Sequence, residues 1–171
     1  MKVTSTEEYG LRCLLALAHE HGAGGGGLTL PEIASREGLP VPNTAKLLRK
    51  LRIARIVDSA RGRTGGYTLV RPPEKISLAE VVTALDGPIF QHKNCAQFTG
   101  AEPVCVHTGD CSVRSVWVAV QMLVHSALEK VSLADLAFKE SEARDRLRAT
   151  WITEADLTAA WGPSKPASRK D

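Results

Sequence analysis

The sequence predicts a mainly α fold with a small β wing: a winged helix-turn-helix followed by a long C-terminal helix. Three observations predict it. Apolar residues recur at helical spacing in three successive segments before Ala54. Two short β-forming runs flank a glycine-rich turn immediately afterwards. A long apolar seam then returns near residue 112, after a stretch without periodicity. The composition of the 171 residues, 43% apolar and 24% charged, is that of a globular protein and excludes collagen-like or wholly disordered chains. No run of roughly 18 apolar residues exists to span a bilayer. Glu7 and Glu8 precede the first apolar run and Arg12 and His19 interrupt it, unlike a signal peptide, so the expected location is cytoplasmic.

The first helix is expected over about Thr6 to Glu20, where Leu11, Leu14, Leu15 and Ala18 share a face. The run Gly24 to Gly27 ends it. A second helix spans about Leu30 to Glu37, with Thr29 as N-cap, Pro31 in its first turn and Gly38 closing it. A third covers about Val41 to Ala54, with Val41, Ala45, Leu48 and Leu51 inward and Asn43, Lys46 and Lys50 outward. Strands near Ile56–Val57 and Tyr67–Val70 flank the turn Arg61–Gly66. Ser77 and Glu80 form a capping-box pattern for a helix to about Leu85. From Asp86 to Asp110 no periodicity is found, as in a long functional loop. A long helix follows from about Ser112 to Lys130. Its seam comprises Val113, Val116, Trp117, Val120, Val124, Ala127, Leu128 and Val131, with Val118, Met122 and Leu123 on other faces. Such a helix needs partners in its own domain and in a second subunit. A short helix, Leu133 to Phe138, comes next. The chain then reads as polar, with one marginal helix between Trp151 and Trp161 and a disordered tail from Gly162. The expected division is 1–71, DNA-binding unit; 72–138, linker helix, cysteine loop and dimerisation helix; and 139–171, C-terminal extension.

Charge is concentrated in one segment. Val41 to Arg71 holds eight Lys or Arg residues against Asp58 alone, a net +7, whereas the whole chain carries +3. A basic segment coinciding with a helix-turn-helix and wing points to double-stranded DNA. Asn43, Thr44 and Lys46, near the start of the third helix, are expected at base edges. Arg49 and Lys50, further along, suit phosphates, and Arg61 and Arg63 of the wing turn complete the DNA-binding set.

Three of the four cysteines, Cys95, Cys105 and Cys111, fall in the aperiodic segment and its far end. Clustered thiols suit an iron–sulfur cluster or zinc. His92 and His107 are the loop's own candidates for a fourth ligand, and Cys95, Cys105, His107 and Cys111 would make a zinc set. Cys13, near the apolar face of the first helix, reads as a packed core thiol. No catalytic constellation is found: neither a nucleophilic triad, nor a phosphate-binding glycine motif, nor H-E-x-x-H. The chain is not expected to be an enzyme.

The N-terminal Met1–Arg12, Leu30-Pro-Glu-Ile-Ala34, Leu47-Leu-Arg-Lys-Leu51, the wing Arg61-Gly-Arg-Thr-Gly-Gly-Tyr-Thr-Leu69 and Ile76-Ser-Leu-Ala-Glu-Val-Val82 together resemble the Rrf2 family of bacterial regulators. Cys111 followed by Trp117 and Leu133-Ala-Asp-Leu136 resembles that family's dimerisation region. The resemblance implies a homodimer on a palindromic operator, with Arg61 entering the minor groove. It also implies a cluster, [2Fe-2S] or [4Fe-4S], held by Cys95, Cys105 and Cys111, with Glu8 of the partner subunit as fourth ligand. Two departures stand out. The cysteines are spaced C-x9-C-x5-C, wider than is common in the family, and Arg55 stands where the family usually has glycine, which predicts a different helix end. In another branch the fourth ligand is a histidine at the position of Arg114, which cannot ligate. The expected function is therefore a DNA-binding regulator sensing redox or iron–sulfur status. Two alternatives stand beside it: the same regulator switching by thiol oxidation or zinc, and a small iron–sulfur redox protein.

Overall fold

The computed structural model describes residues 3–60, 66–88 and 93–151. Arg61, Arg63, His92 and the segment 152–171 lie outside the described residues. The helices are α1 (Ser5–Gly22), α2 (Leu30–Glu37), α3 (Val41–Ile53), α4 (Leu78–Asp86), α5 (Lys93–Gln97), α6 (Ser112–Glu129), α7 (Leu133–Leu136) and α8 (Glu140–Trp151). Strands β1 (Val57–Ser59) and β2 (Tyr67–Leu69) form the wing. The fold is mostly helical with one small antiparallel sheet, as the apolar periodicities predict.

Helix α1 begins where Thr4 closes a capping box. Glu7 N donates to Thr4 Oγ1 at 3.2 Å, and Thr4 N donates to Glu7 Oε2 at 2.8 Å. Cys13, Leu14, Leu17 and Ala18 bury the inner face of α1, against which α2, α3, α4, β2 and α7 all pack. At Gly10 a Cβ would lie 2.5 Å from both Leu85 δ carbons, so the missing side chain lets α4 dock closely. Arg12 fastens α1 to the end of α2, its Nε 3.1 Å from Glu37 Oε2 and its Nη2 donating to the Glu37 carbonyl. Thr29 caps α2 by donating from N and from Oγ1 to Glu32 Oε2, each at 2.7 Å, and these bonds hold the Glu32 carboxyl below its ordinary range. Gly38 then turns the chain into α3 with φ 63°.

The inner face of α3 departs from expectation. Thr44, Leu47, Leu48 and Leu51 are buried, whereas Val41 is exposed. Thr44 can occupy the core because its Oγ1 donates to the Pro40 carbonyl at 3.2 Å, a local bond that apolar counting does not register. After α3, Arg55 adopts φ 56°, the left-handed conformation glycine would favour. The different helix end predicted from Arg55 is thus not needed; arginine is held in the turn.

In the wing, Val57 pairs with Leu69, Asp58 with Thr68 and Ser59 with Tyr67. Leu28 extends the sheet through Leu28 N to Tyr67 O at 3.0 Å and Tyr67 N to Leu28 O at 2.7 Å. Ser77 and Glu80 cap α4 reciprocally, as their spacing predicts. The segment after α6 crosses back over the start of α4, with Leu78 N to Val131 O at 2.9 Å and Leu133 N to Ile76 O at 2.8 Å. This seats Val131 and Leu133 in the core. Helix α8, which its polar sequence does not predict, packs on α7. There Arg146 lies 3.9 Å from the Phe138 ring centroid and 3.7 Å from Asp135 Oδ1.

Two outcomes follow from this packing. Arg55→Gly relieves the left-handed strain and is expected to raise stability by about 0.5–1 kcal/mol, after the greater chain entropy of glycine is allowed for; a lower urea midpoint would contradict it. Burial, reinforced by the Glu37 carboxylate, pushes the Cys13 thiol up to about 11 from an ordinary 9.0. Between those values the folded state keeps a proton that the unfolded chain releases. The contribution is therefore full below the lower value and lost as pH rises toward the higher. The urea midpoint should fall more for wild type than for Cys13→Val between about pH 8 and about pH 10.

Candidate nucleic-acid interface and cysteine segment

Helices α2 and α3, set by the Gly38 turn and the Arg12 clamp, present the outer face of α3 to solvent. Asn43, Lys46 and Arg49 are exposed there, and their side chains make no ion pair or hydrogen bond among the described residues. Cations without protein partners on a helix surface are available to phosphates and base edges. Arg52 and Arg55 extend the positive surface around an open hollow at the end of α3, which Ile53, Val57, Asp58 and Val70 also line.

Two residues expected in the interface are placed otherwise. Thr44 is fully buried, so the assignment of this residue to base contact is corrected: its side chain cannot reach a groove. Lys50 is exposed along its stem, but its Nζ donates to the Leu85 carbonyl and lies 3.4 Å from Asp86 Oδ1. Its ammonium is thus engaged within the protein. The sequence holds no sign of this, because Leu85 and Asp86 are remote along the chain.

Helix α6 has two apolar faces and no buried residue. Gln121, Val124, His125 and Leu128 meet Ala79, Val82 and Thr83 of α4 around a small hollow. Val116, Val120, Leu123 and Ala127, at steps of four, three and four, form a different stripe; Val116 is 59% and Leu123 73% exposed. The single seam expected from sequence is split by the structure, with Val124 and Leu128 turned to α4 and Val131 in the core.

Cys95 lies on α5, Cys105 in the irregular segment and Cys111 at the N-cap of α6; all three are free and partly exposed. Cys111 Sγ accepts from Arg114 N at 3.4 Å, an N-cap contact whose signal in the sequence is only its place before the helix. The Arg114 guanidinium reaches the Thr108 carbonyl at 3.1 Å. As donors three thiols suit iron or zinc. Their arrangement within one chain does not: among the described residues no three His, Cys, Asp or Glu side chains are gathered closely enough to hold a metal ion. Neither the iron–sulfur set nor the zinc set with His107 is preassembled in the single chain. Glu8 is exposed on α1 and belongs to no such group among the described residues.

Residues 3–139 match the Rrf2 family, described as iron-dependent transcriptional regulators. The chain belongs to this family. Protein rrf2 of Nitratidesulfovibrio vulgaris is 32% identical over 136 residues, covering 80% of this chain and 87% of that protein. The HTH-type transcriptional regulator CymR of Bacillus subtilis is 31% identical over 138 residues, covering 80% and 90%. The solved structure of IscR from T. potens superposes with a TM-score of 0.60 at 29% identity, covering 91% of this chain and 95% of that one. The fold is thus the winged-helix fold of Rrf2 regulators, and the chain is a DNA-binding transcriptional regulator. No helix among the described residues is long and apolar enough to cross a membrane.

The placements of Thr44 and Lys46 make opposite predictions. Thr44→Val should leave affinity for duplex DNA within about twofold, since it removes only an internal bond. Lys46→Ala should weaken binding and reduce the salt slope by about 1. Fluorescence anisotropy across a salt series on one duplex measures both, and a large loss from Thr44→Val at unchanged stability would reverse the assignment.

Proposed function

We propose that the protein is a homodimeric Rrf2 regulator that senses redox or iron–sulfur status through its cysteines and binds a palindromic operator through Asn43, Lys46 and Arg49 of α3, with Arg61 and Arg63 of the wing. The observation that carries this is the exposed face of α3, on which Asn43, Lys46 and Arg49 have no side-chain partner among the described residues, on a helix-turn-helix whose orientation is clamped from within. Two such faces must be set at a fixed separation to read two half-sites. The second apolar stripe of α6, running from Val116 to Ala127, is suited to that pairing. Its exposure in a monomer would promote association.

The sensing element is the segment carrying Cys95, Cys105 and Cys111. An iron–sulfur cluster on these thiolates requires the segment to draw together and, with Glu8 of the partner subunit as fourth ligand, requires the dimer. When bound, such a cluster supplies redox- and oxygen-sensitive iron chemistry. The same regulator switching by thiol oxidation is the second reading, favoured by the separate, partly exposed thiols. In either case the chain's own contribution is to hold three thiols beside the dimer helix and to transmit their state to α3.

Leu123→Glu should convert the dimer to a monomer in light scattering and abolish operator binding while helicity is kept; a wild-type monomer at micromolar concentration would sink the dimer. Iron and acid-labile sulfide per subunit after anaerobic purification, with the visible spectrum of Cys105→Ala and Glu8→Ala, test the sensor. Bound iron and sulfide lost in Cys105→Ala support the cluster. A colourless wild type whose DNA affinity changes on oxidation, and recovers on reduction, selects the thiol reading.

A further inference from the structure

We infer that Asp86, the last residue of α4, is a positioning residue that ties the DNA-reading helix to the cysteine segment; the inference rests on the regulatory reading above and supplies its transmission. The Asp86 carboxylate is held from two sides. Oδ1 lies 3.4 Å from Lys50 Nζ of α3, and Oδ2 accepts from Thr4 Oγ1 at the start of α1. Lys50 Nζ also donates to the Leu85 carbonyl, one of the acceptors that a helix C-terminus leaves without an intrahelical partner. A cation there also meets the negative end of the α4 dipole. Beneath this point Leu85 sits on Gly10, where even a Cβ would lie 2.5 Å from both of its δ carbons.

Helices α1, α3 and α4 therefore converge on one helix end. From it the chain leaves through Gly87, with φ 80° and ψ −177°, a conformation that favours glycine, and through Pro88 toward Cys95, seven residues further on. Lys50 is adjacent to Arg49 and one helical turn from Lys46, both on the exposed face of α3. The cysteine segment is thus joined in the chain to the end of α4, and α4 holds α3 by the same lysine that belongs to its basic surface. An exposed ion pair alone carries little energy. The leverage comes from combining the pair with a carbonyl acceptor, a hydroxyl donor and a close-packed leucine. Releasing Asp86 frees Lys50 and loosens the last turns of α3.

Competitive acetylation of the full-length protein with trace acetic anhydride, read by mass spectrometry, follows Lys50 and Lys46 in one sample. With free thiols Lys50 should label more slowly than Lys46. Alkylation of Cys95, Cys105 and Cys111 by N-ethylmaleimide, which buried Cys13 escapes, should raise the Lys50 rate about threefold, the scale of losing a partly exposed ion pair, and leave Lys46 unchanged. In Asp86→Asn, Lys50 should label at the raised rate from the outset and no longer respond to alkylation. Thr4→Val, which removes the other grip on the carboxylate, should likewise blunt the response and serves if Asp86→Asn does not fold. A Lys50 rate indifferent to alkylation in wild type, or a response that persists in the variants, overturns the inference. Because no DNA is present, such a failure leaves the DNA-binding reading standing. Failure of salt-dependent duplex binding would overturn that reading without altering the labelling result.

Discussion

Burial of one face of α1 is the constraint on which the rest of the molecule depends. Leu14 and Leu17 are fully or almost fully removed from water, and α2, α3 and α4 all rest on the same helix. At about 25 cal/mol per Å² of apolar surface, this shared burial outweighs any single polar contact in the fold. The polar contacts serve another end. The Arg12 clamp onto Glu37, the Thr29–Glu32 cap and the Lys50 bond to the end of α4 each fix an angle or a register that hydrophobic burial leaves loose.

The long helix α6 follows a different logic. Its contact with α4 uses Val124 and Leu128, while Val116, Met122 and Leu123 are left largely in water. A helix with no buried residue is not accounted for by packing among the described residues. In the dimer proposed above, the stripe that joins the subunits would also set the distance between the two α3 helices, so that the same side chains would determine the stability of the pair and the spacing of its DNA contacts.

The cysteine segment is the part least committed by the chain. Cys95 and Cys111 are attached to helices, but Cys105 lies in irregular backbone, and the three thiols stay apart. A ligand set that must be drawn together costs ordering entropy, which a bound group or a covalent change has to offset. That cost is useful to a sensor, because it makes the arrangement depend on the chemistry being sensed. The segment follows α4 in the chain after Gly87, and Lys50 links the end of α4 to α3.

Much of this was legible in the residue order, for local reasons. The range of α2 follows from Thr29, Pro31 and Gly38, the start of α4 from Ser77 and Glu80, and the hairpin from its glycines. The basic outer face of α3 follows from charge and helical spacing alone. Tertiary structure decided what depends on residues distant in sequence. Thr44 went inward because the Pro40 carbonyl satisfies its hydroxyl, and Lys50 turned toward α4 because Leu85 and Asp86 end beside it. Helix α8 formed on a polar sequence because Phe138 and Asp135 receive Arg146. The apolar seam of α6 divided in two because α4 claims one side of it. Residue types and their periods determine which faces are apolar or charged. The partner each face meets is determined by three-dimensional proximity, which short-range spacing does not encode.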